Sequence, residues 1–341
     1  MRRWQILLGL AVSAVFLVWA LRGLRLESVW ESARTARIGW ILPGVAAYFL
    51  GVGVRAWRWH YLLRPLGHVS TRTAFPLVAI GYMGNNLYPA RAGEVLRAYV
   101  LRRRTGIPMS GSLATILVER ALDGVVMLGF VFLNLPELAR AGNGVAGASD
   151  LTERIYPLAL AGAVAFLGAT VAFVALAVFP RAGERLLEVV TGRLIPARFR
   201  TRARSTGERF LVGLGALRSP GAAAMLLLTS ALIWLLETGK YWFVMLAFPF
   251  RVSFFVLMLM NGIVNLATTI PSAPGYLGTF DAPGVAVLSA AGVAPEVAAA
   301  YTLVLHAALW LPITALGAYY FARESVTLKQ ARTELAESRA P

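Results

Sequence analysis

The sequence predicts an all-α fold: a polytopic transmembrane helix bundle of about six full spans plus two broken, re-entrant helical segments, arranged as an inverted repeat. Three observations lead there. Of the 341 residues, 58% are hydrophobic and only 15% charged, with a mean hydropathy of +0.65, whereas soluble domains average about 25% charged residues. Such a chain lacks the polar groups to cover itself, so a bilayer must be its solvent. Apolar runs also recur from end to end, and two distant stretches share one pattern of turns.

The first span is expected at about Trp4–Leu21. The second, Ile38–Trp57, ends in Arg55-Ala-Trp57-Arg58-Trp59-His60-Tyr61, which reads as an anchor at headgroup level, where Trp, Tyr and Arg concentrate. Thr73–Pro89 is apolar but interrupted by Gly81, Gly84, Asn85, Asn86 and Pro89, so it reads as re-entrant, its irregular backbone lining a cavity. Gly93–Arg104 reads as a short basic helix. Spans three, four and five are expected at Ser112–Leu135, Tyr156–Phe179 and Ala222–Phe248, with a polar loop around Gly142–Asp150. Phe254–Ile270, with Asn261, Gly262 and Asn265, is the second broken segment, and it runs into Pro271-Ser-Ala-Pro274-Gly275-Tyr-Leu-Gly278-Thr-Phe-Asp281. Val297–Phe321 is the last span, before an amphipathic tail.

The formal net charge is +16. Because the cations sit in short segments beside apolar runs, they read as topology signals and contacts with anionic headgroups rather than as a nucleic-acid surface. Arg181–Arg218 carries nine Arg against three Glu and is expected in the cytoplasm; Pro136–Arg154 carries two Arg against three acids and is expected outside. Both termini then face the cytoplasm, in the cytoplasmic membrane. Leu21–Arg37, with four Arg against two Glu, does not fit that scheme. The whole chain reads as one domain, with repeat-like halves at 73–135 and 254–321 and an Arg-rich connector at 181–219.

The repeat is a self-match. Gly106–Ala121 aligns with Gly292–Ala307 at an offset of 186, and Pro89-x-x-x-Gly93 with Pro274-x-x-x-Gly278 at 185. Paired Pro/Gly-interrupted segments at corresponding positions are the best sequence pointer to a transporter's central site.

Candidate site residues follow from charge at depth. Glu119, Arg120 and Asp123 lie inside span three, where each charge costs at least about 2.5 kcal/mol; they are either a structural ion-pair set or a polar site along a substrate path. Glu237 and Lys240, three apart in span five, either neutralise one another or aim the ammonium at an anionic headgroup. Asn85, Asn86, Arg91, Glu94 and Arg97 form the densest polar cluster in an apolar setting; the two arginines are candidate phosphate clamps, or else part of a salt-bridged helix start. Pro89, Gly93, Pro274, Gly275 and Gly278 read as turn residues, with Asp281 the acid of the second turn. His306 takes the place of Arg120 in the repeat and reads as a packed, hydrogen-bonded histidine.

There is no cysteine, the three histidines lack metal-ligand spacing, and no nucleotide-loop, nucleophile-elbow or zincin motif occurs. No cofactor or metal is expected. The expected partners are membrane lipids, anionic ones foremost, with no nucleic acid; a second copy of the chain or a lipid-biosynthesis enzyme are further candidates.

Asn86-Leu-Tyr-Pro89-Ala-Arg91-Ala-Gly93-Glu94-Val-Leu-Arg97-Ala-Tyr99, followed by Val118-Glu119-Arg120-Ala-Leu-Asp123, resembles the lysylphosphatidylglycerol synthase transmembrane-region family of flippase-like membrane proteins. Pro274-Gly275-Tyr-Leu-Gly278-Thr-Phe-Asp281 resembles that family's second motif, usually Pro-Gly-Gly-Leu-Gly followed by Glu; here Tyr276 and Asp281 stand instead. The resemblance covers nearly the whole chain and implies a lipid-handling membrane protein. In multidomain members a separate soluble domain performs aminoacyl transfer, and some relatives are linked to lipid-linked glycan pathways. The expected function is thus movement of an anionic lipid or lipid-linked precursor between leaflets; the alternative is a membrane transferase with Glu94, Asp123 or Asp281 as base.

Overall fold

The computed structural model describes residues 11–16, 18, 20, 22–88, 91–141, 148–270 and 272–337, and among them no strand occurs. Most of the first expected span therefore lies outside the described residues, as do Pro89, Pro271 and residues 142–147.

Twelve helices carry the description below: α1 (Leu26–Arg34), α2 (Ile41–Leu63), α3 (Thr71–Leu87), α4 (Ala92–Thr105), α5 (Met109–Ala141), α6 (Ala148–Val178), α7 (Pro180–Leu194), α8 (Ala197–Gly213), α9 (Pro220–Leu246), α10 (Phe254–Ala267), α11 (Asp281–Ala290) and α12 (Pro295–Glu337). Among the described residues, Ile38–Leu63, Ala159–Val178, Pro220–Leu246 and Pro295–Glu324 are long and apolar enough to cross a membrane. Helix α5, with 33 residues, extends about 50 Å and buries Glu119 and Asp123 inside the bundle.

Local chemistry starts these helices. Ser70, Ser219 and Ser253 accept hydrogen bonds from Thr73, Ala222 and Val256 N–H at 3.2, 3.1 and 3.2 Å, each satisfying one orphan donor of a first turn. The two segments expected to be broken are short continuous helices, of 17 and 14 residues. Gly81, Gly84, Asn85 and Asn86 remain helical, and the chain breaks only after Leu87. At about 26 and 21 Å, neither helix matches the roughly 30 Å hydrocarbon core. The Arg-rich connector expected at 181–219 folds as the helical hairpin α7–α8.

The repeat is visible in the backbone. Arg91 (φ 53°) and Tyr276 (φ 59°) are the two non-glycine residues with left-handed backbone among those described, and they stand 185 residues apart. Gly106 and Gly292, 186 apart, both have positive φ (77° and 85°). Each unit also contains one helix more than the sequence match covered: α2–α5 form the first, α9–α12 the second. Corresponding helices α2 and α9 pack antiparallel, with Gly44 against Val244, Gly51 against Leu236, and Arg58 against Ser230. The two units are therefore inverted relative to one another.

They also exchange elements. Helix α3 lies on α12, with Asn86 bonded to Thr314 and Phe75 edge-on to Tyr320. Reciprocally, α10 lies on α5, with Asn134 near Met258 and Ser253 bonded to Glu137. Two large hydrophobic cores result, a small cluster of Val126, Met127, Phe130 and Trp234 aside. One gathers Val52, Trp59, Leu77, Ile80, Leu101 and Ile116; the other gathers Tyr241, Leu257, Met260, Leu288, Tyr301 and Leu305. The seam between them holds the polar groups.

Candidate functional site

Six cations and four carboxylates form one continuous ion-pair chain at this seam. Asp123, on α5, is 1% exposed and takes Arg58 at 2.7 Å, Arg120 at 3.1 Å and Arg55 at 3.2 Å. Arg58 also meets Glu119 at 3.5 Å, and Glu119 holds Arg97 at 2.5 Å. Arg55 continues to Glu237 at 3.4 Å, which pairs in turn with Lys240. At the other end Arg120 approaches Glu94 at 3.7 Å, and Glu94 approaches Arg91 at 3.9 Å. With all groups ionised the chain carries a surplus of two positive charges. Buried charges tolerate such a setting only when paired, and that surplus favours an anion nearby.

A central cavity of about 120 Å³ opens onto this chain. Its walls come from both units at equivalent positions: Tyr82 and Asn265, Asn85 and Thr268, Arg91 and Tyr276, Arg120 and His306. The first two pairs are 183 residues apart, the others 185 and 186. The cavity thus sits where the units' approximate twofold axis passes. Six polar atoms on its lining residues are buried without a hydrogen-bond partner: Nε of Arg55, Arg91 and Arg120, Trp234 Nε1, Tyr241 Oη and Asn85 Oδ1. Four of the six are N–H donors, which suits an acceptor-rich anion such as a phosphate.

The expected site residues divide accordingly. Asn85, Asn86, Arg91, Arg120, Glu237 and Lys240 line the cavity together. Arg91 reaches it from its left-handed position, 29% exposed, with Nη2 donating to the Thr268 carbonyl at 3.4 Å. Arg97, expected as a second clamp, lies behind the cavity wall, held by Glu119 and stacked 4.7 Å from the Trp59 ring. Glu119, Asp123 and Glu94 support the arginines rather than line the main cavity; Glu94 borders a smaller void of about 30 Å³. Glu237 and Lys240 do pair locally, as expected, but Arg55 shares the same carboxylate.

Asp281 organises the second turn. Its Oδ2 accepts from Gly278 N–H at 2.8 Å, and its Oδ1 lies 2.8 Å from His306 Nδ1. Gly275 has φ 76°, and a Cβ there would sit 2.8 Å from Trp310 Nε1, so both conformation and space require glycine. Gly278 is likewise a true turn glycine (φ 80°), and Pro274 opens the 3-10 turn Pro274–Tyr276. Gly93, by contrast, is not a turn residue. It lies in the first turn of α4, where a Cβ would come within 1.9 Å of the Gly81 carbonyl oxygen, so its role is to let α3 and α4 touch backbone to backbone.

Arg55 and Arg58, expected as an interfacial anchor, are instead the centre of the network, 4% and 0% exposed. Their i, i+3 spacing on one face of an apolar span was the available signal; the aromatic neighbours Trp57 and Trp59 masked it. Tyr48, Trp234, Tyr276 and Trp310 of the cavity wall had no sequence signal beyond their presence in spans or turns.

Residues 6–317 match the family described as the lysylphosphatidylglycerol synthase TM region. The chain belongs to this family. It is an integral membrane protein, and its motif residues Arg91, Arg120 and Gly275 converge on one cavity. Among family relatives, a UPF0104 membrane protein of Methanothermobacter thermautotrophicus is 28% identical over 297 residues, covering 84% of this chain and 86% of that protein. Glycosyltransferase AglD of Haloferax volcanii is 28% identical over 291 residues, 78% of this chain, and the match spans 46% of that longer protein. The UPF0104 membrane protein MJ1595 of Methanocaldococcus jannaschii is 23% identical over 265 residues, 76% of this chain and 77% of that protein. No solved structure matches the chain significantly.

Proposed function

We propose that this family member moves an anionic lipid, a phospholipid or a polyprenyl-phosphate-linked precursor, between membrane leaflets, the headgroup passing through the central cavity. The observation that carries the proposal is the cationic surplus at a cavity between two inverted units, with unpaired N–H donors on its walls. Inverted units give a structural basis for alternating access, and a helix shorter than a full span in each unit gives a gate. The cavity has room for a small headgroup, while the acyl or prenyl tails remain in the bilayer. In this scheme the Arg-rich hairpin and both termini lie in the cytoplasm. Without a nucleotide-binding motif, movement runs downhill or is driven by an ion gradient. Further partners in this reading are lipid-biosynthesis enzymes or a second copy of the chain.

The transferase reading is supported by the name of the Haloferax relative and by Glu94, whose Oε1 has no hydrogen bond. Against it, Asp123 and Asp281, the other candidate bases, are each held by cationic or N–H partners. The deciding experiment is translocation of fluorescent phosphatidylglycerol, phosphatidylcholine and a short polyprenyl phosphate in liposomes containing the purified protein. Faster movement of the anionic lipids than in empty vesicles supports transport. No acceleration of any of them sinks it.

A further inference from the structure

A crevice lies away from the central cavity, between the α7–α8 hairpin and the start of α5. Helix α8 runs against α5, and a Cβ at Gly213 would come within 2.4 Å of the Gly111 carbonyl oxygen, so the two helices touch at that end. Beside this contact lie two adjoining hollows of about 520 and 690 Å³, which share Ser110, Leu113, Arg202 and Thr206. The hollows differ in chemistry. The first is lined by Arg102, Arg202, Arg209, Ser205 and Thr206. The second continues from it over Leu113, Leu117, Ile195, Phe199 and Phe210.

The charges in the first hollow are uncommitted. Neither Arg102 nor Arg202 is ion-paired to any described residue, and Arg209 donates only to Ser205 Oγ, at 2.6 Å. Arg204, next along the same helix, contrasts with them, since Glu188 and Glu208 both pair with it. The hairpin had carboxylates available and did not place them here. In the second hollow Leu117 and Phe199 are 43% and 49% exposed. A cluster of three guanidiniums with no carboxylate partner among the described residues, continuous with an apolar trough, matches one kind of molecule, an anionic headgroup joined to a hydrocarbon chain.

We propose that this crevice binds one anionic phospholipid, its phosphate held by Arg102, Arg202 and Arg209 and one acyl chain laid along Leu113, Leu117 and Phe199. No residue of the crevice lines the central cavity, so the site is independent of the transport proposal and stands even if that fails. The bound lipid bridges α4, α5 and α8 and fastens the hairpin to the bundle.

The test is native mass spectrometry of the delipidated full-length protein titrated with phosphatidylglycerol or phosphatidylcholine. One phosphatidylglycerol is expected to remain bound under conditions that strip phosphatidylcholine. The Arg202→Gln/Arg209→Gln variant is expected to weaken it by about one order of magnitude, while Arg181→Gln, an exposed arginine of the hairpin outside both cavities, leaves it unchanged. Equal retention of the two lipids, or an unaltered affinity in the double variant, overturns the proposal. So does full displacement by millimolar inorganic phosphate, which marks an anion site with no acyl contact. Should the double variant not fold, a phosphatidylglycerol with a photoactivatable tail decides on the wild-type protein: labelling of Leu117 or Phe199 supports the site, and labelling elsewhere alone refutes it.

Discussion

His306 and Asp281 share a hydrogen bond of 2.8 Å in the second unit, and the other ring nitrogen of His306 lies 2.7 Å from the Gly275 carbonyl oxygen. The Gly275 carbonyl oxygen only accepts, so Nε2 of His306 donates to it. The ring thereby ties the second turn to α12, with Asp281 fixing its orientation through Nδ1. His306→Ala removes both bonds from a buried site and is expected to cost about 1–3 kcal/mol, read as a lower thermal midpoint in detergent. An unchanged midpoint contradicts this tie.

Asp123 is the node on which three guanidiniums depend. Asp123→Ala leaves Arg55, Arg58 and Arg120 short of a counter-ion in a buried setting, and breaking a buried pair this way costs about 3–5 kcal/mol. The variant is expected to unfold at a markedly lower temperature in detergent than wild type. A thermal midpoint within a degree of wild type rules out this node role.

Arg91 occupies the opposite case. Partly exposed and with its carboxylate at 3.9 Å, it contributes at most about 1 kcal/mol to stability. Arg91→Ala is expected to fold normally yet slow anionic-lipid movement by about tenfold, the worth of one charge-assisted contact. Equal rates in wild type and variant remove Arg91 from the headgroup path.

The antiparallel packing of α2 and α9 sends their C-terminal ends to opposite sides of the bundle. Arg72 follows one end and Arg251 the other, and both are exposed. Single cysteines placed at these positions in this cysteine-free chain are expected to react with a membrane-impermeant thiol reagent from opposite sides of sealed vesicles. Reaction from the same side contradicts a transmembrane inversion.

Two glycines separate space from conformation. Gly93→Ala drives a methyl into the Gly81 carbonyl and Asn85 and is expected to cost about 1–3 kcal/mol by overpacking. Gly106 has φ 77° and nothing within 4 Å of a Cβ, so Gly106→Ala costs only the left-handed strain, about 1–2 kcal/mol. Urea-free thermal scans of both variants with Gly106→Asn alongside distinguish the causes, since Asn tolerates that conformation and recovers stability only where strain is at issue.

What the sequence determined by itself is what depends on neighbours in the chain. The apolar runs mark the spans because burial in lipid acts residue by residue over about 20 positions. The Pro- and Gly-containing turns, and the 185–186 offset between them, were legible because turn geometry is set within four residues. The correspondence of α2 with α9 was not, because it runs at an offset of 183 through helices whose matching residues differ in chemistry, such as Arg58 and Tyr241. Nor was the fate of Arg55 and Arg58. An arginine flanked by tryptophans looks the same at a headgroup level as in a buried network. What decides is whether carboxylates wait opposite, and here they come from Asp123, 65 residues from Arg58, and Glu237, 182 residues from Arg55. Such pairings are fixed only when the two inverted units close on each other. The tertiary structure alone therefore decided which charges neutralise one another and which remain to face the cavity.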